Sequence, residues 1–368
     1  MGGNSIGKEF VVTFFGESHG RCVGAVVDGC PSGLSLGEKD IQVELDRRRP
    51  GTSKVSSPRV ELDEVEIISG TFEGFTTGAP ICMVVWNKGA ESTAYDIIRN
   101  KPRPGHADYP ARIRYGGFND FRGGGRFSGR TTASYVMAGA VAEKLLSIIG
   151  VKVVAHTIEI AGIKARMIRD AERIRKQAEE NIVRCADQSA AERMEKAILK
   201  AKEEGDSVGG VVECLVEGLS AGIGEPILDS LDADFAKILF DIPAVKGVEV
   251  GLGFDAARLR GSQDNDQYAL KARKVVTTSN NSGGIIGGLS NGMPLLLRAA
   301  FKPSPSIALK QKTVDLQKMK ETEISISGKH DPCIVPRAVP VVESAVAITL
   351  VDHVLRAGFL PKVLGVKK

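Results

Sequence analysis

The sequence predicts an α+β fold, and three observations carry that prediction. Apolar runs with strand character occur at residues 9–15, 151–160, 210–216, 248–254 and 294–301, rich in β-branched and aromatic side chains. Residues 39–48, 131–149 and 342–356 read as helices, the last two apolar around much of their circumference and therefore buried. Strands and helices follow one another in mixed order, without the βαβ alternation that announces a parallel sheet.

Each element follows from its local chemistry. The first strand ends in the glycine-flanked turn GESHG at 16–20, and Gly20-Arg21 leads into a second strand-like run at 23–27. Helix 39–48 closes on Arg47, Arg48 and Arg49 before Pro50-Gly51, a position where cations complement the negative helix terminus. Helix 131–149 emerges from a glycine-rich, arginine-rich loop. Residues 165–205 are rich in Ala, Glu, Lys and Arg with helical periodicity and stop at Gly205-Asp206, which reads as a charged helical insertion on the surface. There is no internal repeat, low-complexity tract or long linker, so residues 1–368 are expected to form a single domain carrying that insertion.

Composition narrows the function classes. Apolar residues at 42% and charged residues at 26% are those of an ordinary globular protein. A net charge of +4 and 5% aromatics argue against an extended nucleic-acid surface but allow a local basic pocket for a small anion. The six cysteines are scattered without a CxxC pair, so neither zinc nor a disulfide framework is expected and a reducing cytoplasm is the simplest setting. The N-terminal apolar run is too short for a signal peptide, and no stretch approaches membrane-spanning length.

Glycine, at 42 residues, falls in blocks at 116–129, 283–292 and, more thinly, 16–20, where it permits positive φ and close ligand approach. Two of the five histidines sit in such turns: His19 in GESHG and His106 in RPGHADY. An imidazole titrating near neutrality can protonate a leaving group or stabilise an anion, although a surface or capping histidine is the plainer alternative. GESHG also matches the GxSxG nucleophile elbow with Ser18 as nucleophile, but that motif needs a following helix where a strand-like run is found. Arg47–Arg49 with Lys54, and Arg122, Arg126 and Arg130 ahead of helix 131–149, suit a phosphate or carboxylate pocket. Helix capping and a mobile surface loop are the competing readings. Asp331, before Pro332 in GKHDPCIVPRAVP, is either a base or cofactor orienter or simply the end of a loop. His156 and His353, inside a strand and a helix, look structural. A noncatalytic anion or RNA binder and a serine hydrolase built on Ser18 remain the alternatives at this level.

Taken in order, GESHG, DRRRPG, RPGHADY, RGGGRFSGRTT, RGS at 260–262, GGIIGG, KPSPSI and KHDPCIVPRAVP resemble the chorismate synthase family from end to end, as do SGTFEGFTTGAPI at 69–81 and DIPAVKGVE at 241–249. The resemblance implies central helices sandwiched between antiparallel sheets, four subunits, and a 1,4-anti elimination of phosphate and the C6 hydrogen from 5-enolpyruvylshikimate 3-phosphate. Reduced FMN is the implied cofactor, without net redox change, and NADPH is the reductant if the enzyme also reduces its own flavin. By the same resemblance His19 protonates the departing phosphate, His106 protonates the reduced flavin, and Asp331 assists removal of the C6 proton. Arg48, Lys54, Arg103, Arg130 and Lys329 match substrate-binding positions. Arg126, Phe127, Ser128, Ala244, Gly287, Lys302, Pro303, Ser304, Pro305, Ser306 and again Lys329 match flavin-binding ones. Lys54 and Lys329 stand where arginine is usual, which keeps the charge but loses bidentate geometry, and Pro305 interrupts a KPxSS-like segment.

Overall fold

Two helices too apolar to face water decide the architecture. In the computed structural model, which describes residues 3–51, 55, 62–88, 93–326 and 330–365, helix α3 (Thr132–Ile148) buries 13 of its 17 residues and helix α7 (Val335–Arg356) buries 19 of its 22. They pack on each other, together with α1 (Glu38–Arg48) and α6 (Leu231–Asp241). α2 (Asp108–Arg114) is a short helix beside the cavity described below.

A sheet covers each side of this helical layer. The first is formed by β1 (Ser5–Ile6), β2 (Val11–Gly16), β3 (Cys22–Asp28), β4 (Val65–Ser69) and β5 (Ile81–Trp86), in the order β1-β2-β3-β5-β4. The second contains β6 (Lys152–Ile160), β7 (Ile163–Lys164), β8 (Gly210–Glu217), β9 (Val245–Val250) and β10 (Leu295–Phe301), in the order β9-β10-β8-β6-β7. Every pairing in both is antiparallel, and α3 lies against the first sheet while α7 lies against the second. The expected α+β sandwich is therefore present. Alternation explains the first sheet: Val12 and Phe14, Val23, Ala25 and Val27, and Ile81, Met83 and Val85 face the helices.

The second sheet is apolar on both faces. Val153, Val212, Cys214 and Leu297 join the main core, whereas Val154, Leu215 and Leu296 point outward. That outer face is closed by α4 (Ala171–Glu179) and its flanks through Ile168, Ala171 and Ile174. α5 (Gln188–Glu203) buries Met194 and Ile198. The 165–205 segment, predicted as a surface insertion, thus exposes its charged face as expected but supplies an outer layer to the sheet through the opposite one. Coverage on both sides is why these strands read as nearly continuous apolar runs.

Two predicted elements shift. The strand predicted at 248–254 runs from Val245 to Val250 and gives way to a 3₁₀ turn at Gly253–Arg258. The last helix begins at Val335 instead of 342, because Pro336 sits in the first turn, where its missing N–H costs nothing, and the helix continues through Pro340. Extended in this way, α7 is long and apolar enough to cross a membrane by length and composition, correcting the expectation that no stretch comes close. Its most apolar 18-residue stretch is, however, 94% buried inside the protein, as in a core helix.

The helical layer depends on one close approach. A Cβ on Gly139 of α3 would fall inside the van der Waals envelope of Ser344 Cβ and Cα on α7. Gly139→Ala is expected to force the two helices apart at a cost of about 1–3 kcal/mol. Urea unfolding should show that loss, and Ser344→Gly in the same chain should recover part of it.

Candidate active site

A cavity of about 620 Å³ opens where the N-terminal ends of α3 and α7 meet the segments 103–107, 242–246 and 302–306. That volume accommodates ligands of cofactor size. Seven arginines and lysines line it against two aspartates, Asp241 and Asp331, so the wall is strongly cationic.

The glycine-rich loop is threaded between the two turn histidines. Gly123, Gly124 and Gly125 take φ values of 58°, 85° and 53° in succession, a conformation that side-chain-bearing residues rarely adopt. A Cβ on Gly123 would collide with the His19 ring, and one on Gly124 would lie 3.2 Å from His106 Cε1 and Nε2. His19 is buried behind Gly123, with Tyr95 packed edge-on at 5.0 Å. Gly123 and Tyr95 line the cavity but His19 does not. The turn carrying Ser18 and His19 is followed by strand β3, not a helix, so the geometry of a nucleophile elbow is missing.

His106 is held on the opposite side of the loop. Its Nδ1 lies 2.6 Å from Asp108 Oδ1. Asp108 also accepts from Arg103 Nε and Nη2, both at 2.8 Å, and from the Arg103 backbone N–H at 3.0 Å. Burial alone would raise the Asp108 carboxyl, but the hydrogen bonds from Arg103 and His106 outweigh it and hold it well below the usual carboxylate range. Arg103 Nη1 reaches Ser306 Oγ at 3.0 Å, tying this turn to the 302–306 segment.

Of the three consecutive arginines ending α1, only Arg48 lines the cavity. Arg47 turns away to Glu343 at 2.6 Å and Glu179 at 2.8 Å, and Arg49 reaches Asp46 at 3.4 Å. Arg48 donates to Asp63 at 3.0 Å, Thr132 Oγ1 at 3.2 Å and the Gly129 carbonyl at 2.6 Å. Arg130 pairs with the other oxygen of Asp63 and donates to Asn87 Oδ1 at 3.1 Å. One buried carboxylate thus bridges two guanidiniums that would otherwise repel. Its desolvation pushes the Asp63 carboxyl up, but Arg48 and Arg130 more than compensate and hold it below its ordinary value.

The remaining walls carry the other predicted residues. Arg126 donates to Asn4 Oδ1 at 2.6 Å, the Phe14 carbonyl at 3.0 Å and the Gly16 carbonyl at 3.5 Å, all neutral oxygens. Phe127, Ser128, Ala244, Lys302, Ser304, Pro305, Ser306 and Asp331 line the cavity. Ala244 holds the backbone in the left-handed region at φ 74°, strain of the kind found where a chain is shaped around a ligand. Asp331 is ion-paired to Arg337. Pro303 and Gly287 do not line the cavity, Gly287 lying in a separate hairpin between Ile285–Ile286 and Leu289–Ser290. Lys54 and Lys329 lie outside the described residues.

Sequence reasoning passed over Asp63, Asp108, Arg337, and the Tyr135–Asp241 pair in which the phenol donates to the carboxylate. Asp108 alone had a local signal, two residues after His106 in the same turn. The others approach only through the fold.

A cationic pocket with imidazole and carboxylate groups on its walls defines an enzyme acting on a small polyanion. The chain belongs to the chorismate synthase family, whose model matches residues 10–355. It is 54% identical over 361 residues to a chorismate synthase of Dehalococcoides mccartyi, covering 98% of this chain and 99% of the other. To those of Methanosarcina acetivorans and Methanothermobacter thermautotrophicus it is also 54% identical, over 360 and 367 residues, covering 98% and 99% of this chain and 98% of each of the others. A crystal structure of chorismate synthase superposes with a TM-score of 0.76 at 30% identity, covering 96% of this chain and 93% of that one.

Asp63 gives this site a measurable signature. Its folded value is lowered, so its contribution to stability is complete above the ordinary carboxylate range near pH 4 and is lost as pH falls through the folded value. Asp63→Asn is expected to cost about 3 kcal/mol at pH 7 by leaving two guanidiniums without their shared carboxylate. In urea titrations the gap from wild type should close below pH 4.

Proposed function

We propose that this pocket binds 5-enolpyruvylshikimate 3-phosphate beside reduced FMN and catalyses the 1,4-anti elimination that yields chorismate and inorganic phosphate. The observation that carries the reading is the excess of fixed cations over carboxylates on the cavity wall, matched to a substrate with two carboxylates and a phosphate. The residues also fit the flavin. Arg126 meets only neutral oxygens among the described residues, leaving its charge uncompensated for an anionic group, and Lys302 lies across the cavity beside the strained backbone of Ala244. A reduced flavin held there by Arg126 and Lys302 would supply the electron density that eases cleavage of the C–O bond.

The protein's own groups divide the remaining work. Arg48 and Arg130, locked by Asp63, present fixed N–H donors to the substrate's anionic groups, so little ordering remains to be done on binding. His19, reached past Gly123, is assigned proton delivery to the departing phosphate; His106 is assigned proton donation to the reduced flavin. Asp331, oriented by Arg337, is assigned to the C6 proton. Lys54 and Lys329 complete the substrate and flavin contacts in this reading, as Gly287 and Pro303 do by the family resemblance, although neither of these two lines the cavity. NADPH is the reductant if the enzyme regenerates its own reduced flavin.

A homotetramer is supported by strongly exposed apolar side chains such as Ile227 at 89%, Leu228 at 90% and Leu270 at 80%, which solitary chains tend to cover. Six free cysteines suit a reducing cytoplasm.

Anaerobic incubation with dithionite-reduced FMN and 5-enolpyruvylshikimate 3-phosphate should release chorismate and phosphate in equal amounts, and none with oxidised FMN. His106→Ala should lower kcat by roughly 10²–10⁴-fold. A folded protein that fails to bind FMN would overturn the assignment.

A further inference from the structure

The contacts of His106 specify more than its proximity to the cavity. Asp108 Oδ1 lies 2.6 Å from Nδ1, and a carboxylate only accepts, so the Nδ1 proton is fixed in place. Arg103 Nη2 stands 3.1 Å from Nδ1 and 3.2 Å from Nε2. A nitrogen nearly equidistant from both cannot lie in the ring plane, where Cε1–H fills the space between them, so the guanidinium rests on the ring face. It therefore leaves the in-plane lone pair of Nε2 unused. Gly124, where a Cβ would lie 3.2 Å from Cε1 and Nε2, brings no side chain of its own against that nitrogen. The turn itself is anchored from the far wall by Lys302, whose ammonium donates to the Gly105 carbonyl, and by Ser306 through Arg103.

We propose that Asp108 is the positioning residue for His106, fixing the imidazole as the Nδ1–H tautomer so that Nε2 is the nitrogen that takes up and delivers the proton at the ligand. Arg103 assists in this positioning, since its Nε and Nη2 donors are committed to Asp108 and the ring, and one Nη1 hydrogen remains for substrate after the bond to Ser306. Asp108 keeps its carboxylate at working pH and does not line the cavity. It stabilises the charge that appears on the ring when Nε2 is protonated, as a buried aspartate does behind a catalytic histidine. The catalytic consequence rests on the role given to His106 above; the tautomer does not.

The test begins with ¹⁵N-histidine NMR of the ligand-free protein, the His106 signals being assigned by their loss in His106→Ala. Wild type is expected to show a protonated Nδ1 and an unprotonated Nε2, and Asp108→Asn a shift toward the other tautomer. An Nε2–H tautomer in wild type overturns the proposal without recourse to any variant. In anaerobic turnover Asp108→Asn should lower kcat about 10–100-fold with a smaller change in KM. In a His106→Ala background the same substitution should cost less than about twofold. A full and additive loss there would make Asp108 a support of the fold or of Arg103, and would overturn the proposal. Absence of turnover in wild type would sink the functional reading while the tautomer still decided the positioning role.

Discussion

The crossing of α3 and α7 at Gly139 and Ser344 brings two almost wholly buried helices into backbone contact, and much of the molecule is arranged around that contact. Neither helix has a polar stripe wide enough to face water, so each needs a sheet on its outer side. The same crossing fixes where their N-terminal ends emerge. From one come Ser128, Arg130 and Thr132; from the other Asp331 and Arg337. The cavity is thus a product of the core, and its precision derives from close packing, not from the loops that complete it.

Concentrating guanidiniums in a partly dehydrated pocket is costly, and the protein offsets that cost with carboxylates, Asp63 and Asp108 behind the wall and Asp331 on it. Asp63 serves Arg48 and Arg130, Asp108 serves Arg103, and Asp331 is paired with Arg337. Each fixes the direction of a cation while leaving some donors turned inward. The arrangement extends away from the cavity. Glu343 in the middle of α7 holds Arg47 and accepts from the Ala155 backbone at 2.7 Å. Nearby Glu143 is pushed up to about 8 by burial and by Glu343, so the second of these acids keeps its proton near neutrality.

Glycine does the complementary work. Three residues in left-handed conformation pass between His19 and His106 with no room for a side chain against either ring. The loop separates the two imidazoles and gives each a different environment, one buried behind Gly123 beside Tyr95, the other open at one edge to the cavity. Two histidines of the same chemistry can then perform different proton transfers.

Sequence by itself determined the elements that depend on neighbours along the chain: the mixed α+β class, the helices near 39–48 and 131–149, the glycine blocks, and the order of motifs that marks the family. It also picked out 13 of the 37 residues that line the cavity. The family resemblance singled out Arg48 among three adjacent arginines, but only the tertiary structure supplies the reason, since a helix turns each by about 100° and packing says which direction faces the cavity. It decided that α7 continues through Pro340, because burial outweighs one missing hydrogen bond. It also brought in Asp63, which has no local pattern to mark it, and joined Asp241 to Tyr135. Carboxylates that compensate buried charge are chosen by distance in space, and distance in space is what a linear pattern does not contain.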